Sequence, residues 1–379
     1  MALTIQKIDI YPLEYAEPND DNATRYIVLA KITASDGTFG WGEAITQFRE
    51  ATHATAAMLD NGLAELLIGH HPLDTEKLWN LVRDRVWWFG NTGGIAGFAI
   101  SALDMALWDL KGKLLGQPLY RLLGGKQTEK LPVCASTHPK SSEIDAMAEE
   151  LAAHIHNGYK LVKVGFGKKG HANLGVSAER DIAFVKAVRA AIGDAGFIVD
   201  IGAKLHWTIP YAIKMARAFV PYNLTWLEDP FHPDNFNGYQ HMRQAVPEMM
   251  LGFGERAWNR DDYHQLLKAD LCDVILIDPG RAEGITGMHQ ITQLAARYNV
   301  GIDPHCWSSA IITAASLHLA CAATNATIFE MKPMENPMQH DLVTEPFAPV
   351  DGYITAPDKP GLGVDVIEKT VEKYNLKRK

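Results

Sequence analysis

Seven ionisable residues recur at spacings that can gather them into one site: Lys163, Asp200, Glu228, Glu255, Asp278, His305 and Glu330. Each stands at or near the end of a short apolar run, and the steps between them are 37, 28, 27, 23, 27 and 25 residues. Asp200, Glu228 and Glu255 close three consecutive runs. Three carboxylates brought together repel and raise one another's pKa, and a hard divalent cation relieves this. Oxygen ligands with open positions suit Mg²⁺, whereas zinc prefers His or Cys. The bland alternative is three acidic helix caps, which suits any one of them better than all three in sequential register. Asp278 and His305 fall on neighbouring runs, so Asp278 can hold one imidazole nitrogen and raise the basicity of the other. Lys163, partly buried near a cation, is expected to have a lowered pKa and serve as a base on the other flank. Alone, a Lys or His here would read as a surface residue; the shared register argues otherwise. A metal between two bases predicts removal of the proton next to a substrate carboxylate, with the metal stabilising the enediolate. Reprotonation on the other face, or loss of a β-hydroxyl, would follow.

The elements that must position these groups are also legible. Eight apolar runs, LPVCAS, KLVKVGF, FIVDIG, LTWLEDP, MMLGFGE, CDVILID, VGIDPH and ATIFEM, alternate with helical patterns. A strand, loop, helix and loop take roughly 25 to 35 residues, the rhythm of a (β/α) barrel. A doubly wound open sheet shares the alternation, but only a barrel turns every strand end toward one mouth. Residues 126–345 are assigned to the barrel. Residues 1–125 read as α+β. Tyr26 to Thr33 and Thr38 to Trp41 are strand-like about an Asp36-Gly37 turn, and Ile100, Leu103, Leu107, Leu110 and Leu114 make one apolar helix face. Gly116, Pro118 and Gly124-Gly125 close that helix. Residues 346–379 have no such rhythm and are expected to run back over the first domain.

The chain has 379 residues, 47% hydrophobic and 21% charged, the balance of a soluble globular protein of two domains. Its charge, 36 − 45 = −9, makes nucleic acid and anionic membrane poor partners. Four scattered cysteines exclude a disulfide framework. No apolar leader or membrane-length run is present, so a cytoplasmic protein is expected. Gly165-Phe166-Gly167-Lys168-Lys169-Gly170 matches G-x-G-x-x-G, but no clear helix follows it, and a lysine-rich loop at the barrel mouth is the better reading. His154-Ile155-His156 ends a helical pattern, not a strand, so it is no metal motif. His70-His71 precedes Pro72 and reads as a loop.

These residues resemble the enolase superfamily, mandelate racemase subgroup, over nearly the whole chain. DGTFGWGE (36–43) and SALDMALWDLKGKLLGQPLYRLLGG (101–125) look like its capping domain, and PDKPGLGVDV (357–366) is similar to its C-terminal segment. Asp200, Glu228 in WLEDP and Glu255 in GFGER match its three metal ligands. DPGRAEGIT (278–286) and DPH (303–305) match its Asp-His dyad, and Glu330 matches a glutamate that contacts the substrate carboxylate or enediolate. The resemblance implies a (β/α)7β TIM-like barrel with an N-terminal α+β capping domain completed by the C-terminal segment. It also implies Mg²⁺, loops near residues 15 to 25 and 45 to 55 closing over a carboxylate substrate, and a homo-oligomer, often an octamer. The family commonly has Lys-x-Lys on the second barrel strand, where this chain reads Leu161-Val162-Lys163. Lys163 aligns with the second, catalytic lysine, leaving Leu161 for the first. In the shifted alternative Lys163 is the first lysine and Gly165 marks a missing base, so that His305 acts nearly alone. The segment after Asp200, IGAKLHW, also departs from the usual form, and Lys204, His206 and Trp207 are candidates to reach the substrate. The implied activity is an acid-sugar dehydratase. Its rivals are a cycloisomerase or racemase of a sugar acid or lactone, and a non-catalytic acid binder.

Overall fold

The computed structural model describes residues 3–378 except 91, 169 and 203. Three antiparallel strands open the chain in the order β1 (Ile5–Glu17), β2 (Ala23–Ala34) and β3 (Phe39–Ala44). Strand β1 has no counterpart in the sequence reading. Pro12 and four charged residues interrupt its apolar alternation, yet it pairs with β2 along almost its whole length. Helices α1 (Arg49–Met58), α2 (Thr75–Val86), α3 (Ile95–Leu115) and the short α4 (Leu119–Leu122) follow.

Helix α3 carries the five apolar positions seen in the sequence, but it is buried around most of its circumference rather than along one stripe. One side packs on β3 so closely that a Cβ on Gly40 would lie 2.2 Å from the Ala106 carbonyl oxygen, and one on Gly42 2.1 Å from that of Ala102. Its polar residues face other partners. Asp104 accepts from the Thr286 amide (2.8 Å) and hydroxyl (2.7 Å). Asp109 accepts from the Trp41 and Leu362 amides, both at 2.8 Å. Gly116, in left-handed backbone, ends the helix.

All eight apolar runs are strands of one parallel sheet: β4 (Leu131–Thr137), β5 (Leu161–Gly165), β6 (Gly196–Asp200), β7 (Trp226–Glu228), β8 (Leu251–Phe253), β9 (Val274–Ile277), β10 (Gly301–Pro304) and β11 (Phe329–Met331). Seven helices connect them: α5 (Ile144–His156), α6 (Ala178–Ile192), α7 (Ile209–Phe219), α8 (Phe236–Ala245), α9 (Arg260–Lys268), α10 (Gly284–Arg297) and α11 (Ala310–Ala322). The ladder runs β10-β9-β8-β7-β6-β5-β4-β11. Between β10 and β11 the sheet closes through a bridge from Ile302 to Ala326, just ahead of β11, with the Ile302 amide donating to the Asn325 carbonyl at 3.0 Å. This is the (β/α)7β barrel capped by an α+β unit.

Cys134, Leu161, Ile198, Trp226, Val274, Leu276 and Ile328 form a cluster of their own among buried strand residues, the packed barrel interior. Gly252 on β8 gives Trp226 its room, since a Cβ there would meet the indole at 2.6 Å. After β11, β12 (Tyr353–Ile354) adds antiparallel to β4. Helix α12 (Glu368–Tyr374) lies against β1, and Lys31 Nζ reaches Glu368 at 2.5 Å. Among the described residues no helix is long and apolar enough to cross a membrane.

The close approach of β3 to α3 gives a direct test. Gly42→Ala places a methyl group against helix backbone that cannot yield, so it should destabilise by about 3 kcal/mol or more. Thermal melting would show this as a lowered midpoint or loss of soluble protein.

Candidate active site

Side chains alternate along a strand, so every second residue of a barrel strand points inward. On β5 these are Leu161, Lys163 and Gly165; on β6, Ile198 and Asp200; on β7, Trp226 and Glu228. The lower residues fill the interior and the last ones reach the mouth. Asp200 and Glu228 end their strands, and Glu255 stands two residues beyond β8. Asp278 and His305 each lie one residue past β9 and β10, and Glu330 is central in β11.

Oxygens of Asp200, Glu228 and Glu255 lie within 4.8 Å of one another. Oδ1 of Asp200 is buried without a hydrogen-bond partner, a cost that a bound cation removes. Glu228 is fully buried and accepts from the Trp226 indole at 3.1 Å. Glu255 Oε1 meets Arg256 at 2.9 Å. The donor set is all carboxylate oxygen with no nitrogen or sulfur, which fits a hard divalent cation.

Burial pushes the Glu228 carboxyl well above the ordinary range, only partly opposed by Lys163. Burial acts the same way on Glu255, but there Arg256, His305 and Lys163 overcome it and hold the carboxyl below its usual range. Asp229, next along from Glu228, is pushed up to about 8 by burial in spite of its contact with Arg256.

His305 Nδ1 lies 2.8 Å from Asp278 Oδ2, and its Nε2 lies 3.6 Å from Glu255 Oε2. The dyad inferred from neighbouring runs is therefore in contact. Burial alone would lower the imidazole pKa; the Asp278 hydrogen bond and the charges of Glu255 and Glu330 reverse this and raise it to about 9.

The expectation of a lowered Lys163 pKa supposed a cation beside it; facing the carboxylates alone, Lys163 shifts the other way. Its Nζ lies 2.5 Å from Glu228 Oε1, 3.2 Å from Glu330 Oε1 and 3.9 Å from Asp200 Oδ2. The Glu330 contact is poorly aligned for a hydrogen bond, since Oε1 has no hydrogen-bond partner. Burial works against the ammonium, but Glu228, Glu330 and Asp200 outweigh it and raise its pKa well above the usual lysine value. Its depth explains this. In the β5–β6 ladder Gly165 pairs with Asp200, and Lys163 pairs with Ile198 one inward step lower. Lys163 thus sits beneath the carboxylates, and Gly165 is level with them.

A cavity of about 410 Å³ opens above this floor, lined by Lys163, Asp200, Glu255, Asp278, His305 and Glu330 among others. The cap supplies Ile45, Thr46, Gln47 and Phe48 from the second of the two loops singled out in the sequence, and Arg25 from the start of β2, since the first of them is largely strand. Lys204 also lines the cavity; burial, then the charges of Lys168 and Arg256, lower its pKa. His206 and Trp207 do not line it. His206 is exposed in a left-handed turn, and the Trp207 indole donates to the Gly175 carbonyl at 2.9 Å with its ring against Tyr211. Trp207 therefore anchors the loop after β5. In that loop Lys168 lines the cavity, Lys169 lies outside the described residues, and α6 begins only at Ala178, too far on to offer its N-terminus to a phosphate. His154 and His156 fall in the last turn of α5 and His70-His71 in a loop.

The sequence reading missed Ser136, His138, Trp258 and Trp307, which also line the cavity. Ser136 and His138 were within its reach, because they stand at the end of β4, the one strand whose end residue was not considered.

The chain matches two family descriptions. Residues 7–124 match the mandelate racemase / muconate lactonizing enzyme N-terminal domain, and residues 146–370 match the enolase C-terminal domain-like family. It is 30% identical to a D-galactarolactone cycloisomerase of Agrobacterium fabrum, over 96% of this chain and 95% of that one. It is 31% identical to a D-galactonate dehydratase of Ralstonia nicotianae, over 91% and 90%. A solved racemase of Streptomyces coelicolor with bound magnesium superimposes with a TM-score of 0.87 at 25% identity, over 98% of this chain and 100% of that one.

The dyad's contribution can be read by titration. In protein stripped of metal by chelator, the His305 imidazole should titrate near 9, and Asp278→Asn should bring it down toward 6.5. A folded-state pKa raised above the unfolded value gives stability that is fully present below about pH 6.5 and is lost as pH rises through about 9. Histidine proton shifts followed by NMR against pH in both proteins check this. An unchanged midpoint in the variant would count against the hydrogen bond as its cause.

Proposed function

The chain belongs to the mandelate racemase / muconate lactonizing enzyme family of the enolase superfamily, and on that premise we propose that it is a Mg²⁺-dependent dehydratase of sugar acids. It would remove the proton next to the carboxylate and expel the β-hydroxyl as water, giving a 2-keto-3-deoxy acid. The observation that carries this is the one-sided supply of base. His305, held by Asp278, stands on one flank of the cavity. On the other flank the residue level with Asp200 is Gly165. Racemisation through two opposed bases needs a second proton acceptor level with the first, and Gly165 supplies none. Elimination needs only one.

Asp200, Glu228 and Glu255 would hold Mg²⁺, which supplies a Lewis acid for the substrate carboxylate and for the charge gathered there as the proton leaves. The remaining steps fall to the chain's own groups. With the Glu255 charge taken up by the cation, one of the causes that raise the His305 pKa would be weakened and Nε2 would be free of its proton; Asp278 would keep the other proton on Nδ1, leaving Nε2 to accept the α-proton. The imidazolium so formed can return that proton to the departing β-hydroxyl: one C–H and one C–O bond break, a C=C bond forms, and water leaves. The enol then becomes the keto acid. Lys163 remains cationic beneath the site, tying Glu228 and Glu330 in place and countering their charge. Arg25 on β2 and the cap loop at 45–48 roof the cavity on the side of the cap.

A cycloisomerase is the second reading, because opening a lactone by β-elimination uses the same single base, and a relative carries that name. We place the protein in the cytoplasm, in keeping with its four free, buried cysteines. Exposed Trp87, Trp88 and Phe89 are the face we assign to self-association.

The test is an incubation with Mg²⁺ and a panel of sugar acids and lactones in deuterated water, read by proton NMR. A 2-keto-3-deoxy product from one acid is expected, and His305→Asn should reduce its rate by about 10⁴. Isomerisation without loss of water would select the cycloisomerase. Binding with no exchange at all would make the protein a non-catalytic acid binder.

A further inference from the structure

The β5 flank of the cavity is not empty. Gly165 faces inward, two residues above Lys163. A Cβ there would lie 2.6 Å from Cε1 and 2.7 Å from Nδ1 of His138, and 2.6 Å from Cε of Lys168. The flexible end of a lysine can swing aside. The His138 ring is less free, because it packs on Trp307 with centroids 4.8 Å apart, and the Trp307 indole donates to Ser136 Oγ at 2.9 Å. The glycine and the imidazole are complementary: one leaves the space that the other fills.

His138 lines the cavity together with Lys163, Asp200, His305 and Glu330. Its Nδ1 is buried without a hydrogen-bond partner, although buried polar atoms are nearly always satisfied. Burial, and then the charges of Lys168 and Arg25, push its pKa down to about 2, so the ring stays neutral at any working pH. A neutral imidazole has one donor and one acceptor nitrogen, the same pairing that a hydroxyl group offers.

We propose that His138 is a substrate-binding residue that hydrogen-bonds a hydroxyl of the acid from the β5 side of the cavity, in the space Gly165 leaves open. This rests on the sugar-acid reading above and narrows it. The ligand class is a polyhydroxy acid with a hydroxyl beyond the α-carbon directed toward β5. A simple 2-hydroxy acid such as lactate has nothing to offer His138.

The experiment compares wild type, His138→Ala, His138→Asn, Gly165→Ala and the double variant His138→Ala/Gly165→Ala. All are loaded with Mg²⁺ and checked for an unchanged melting temperature. Binding of D-galactonate, D-gluconate and lactate is measured by calorimetry, and KM and kcat for whichever acid turns over. The wild type should bind a polyhydroxy acid, and His138→Ala should weaken that binding roughly 10- to 100-fold while leaving lactate unchanged. His138→Asn, which keeps a donor and an acceptor, should recover part of the loss. Gly165→Ala should mimic His138→Ala by displacing the ring, and the double variant should be no worse than either single one. Equal binding of the polyhydroxy acid by wild type and His138→Ala overturns the proposal. So does failure of the folded wild type to bind either polyhydroxy acid. If an acid binds through His138 but loses no proton, the dehydratase reading fails and this one stands. If an acid is dehydrated equally well without His138, the reverse holds.

Discussion

Five carboxylates share one buried mouth, and the rest of the site is arranged around their mutual repulsion. Asp200, Glu228, Glu255, Asp278 and Glu330 converge there against the cations of Lys163, His305 and Arg256. Burying like charges is costly unless each has a partner. The pairing is graded with depth. Lys163 compensates the lowest oxygens, Arg256 and His305 the upper ones, and the three oxygens gathered on β6, β7 and beyond β8 are close enough together to hold a cation. The same constraint explains the opposite displacements of Glu228 and Glu255. Glu228 lies deepest, where burial prevails; Glu255 faces three positive groups.

The barrel was legible because its parallel strands, covered on both faces, read as unbroken apolar runs. All eight runs became strands, and the carboxylates and His305 converged because strand ends share one face of a barrel. What escaped had physical reasons as well. Strand β1 owes its existence to pairing with β2, against an apolar pattern broken by proline and charge. Helix α3 has a single apolar stripe in sequence, yet Asp104 and Asp109 are buried too, on hydrogen bonds that only the folded chain reveals. Strand register is not given by a linear sequence: Lys163 stands one inward step below Asp200, although its side chain still reaches the cavity floor. Trp207 looked like a substrate contact by its nearness to Asp200, but its indole serves the backbone of the neighbouring loop.

The cap is fastened over the mouth by buried polar contacts. Glu43 on β3 accepts hydrogen bonds from the hydroxyls of Ser308 and Ser309 ahead of α11, and burial raises its carboxyl to about 7. Lys332, just beyond β11, donates to Glu17 at 2.6 Å and to the Ser308 carbonyl at 2.9 Å. Asp104 clasps Thr286 at the start of α10. Such contacts specify one docking geometry more than they add stability. Here that geometry sets Arg25 and the 45–48 loop above the carboxylates.

The barrel's ladder is thinnest between β10 and β11, where the Ile302–Ala326 bridge and a few flanking hydrogen bonds close it. His305 belongs to the side that continues through β9 and β8, where Asp278 and Glu255 hold it. Glu330 belongs to the side that continues through β4 and β5, where it meets Lys163, and where His138 stands. His305 and Glu330 therefore stand at the two strands that flank this seam, and the Cys306 amide, donating to Glu330 Oε2 at 3.4 Å, crosses it between them. Above the seam the cap ties the loop after β10 to the residue beyond β11, through Glu43 with Ser308 and Ser309 and through Glu17 with Lys332, and so splints the least paired stretch of the barrel's circumference.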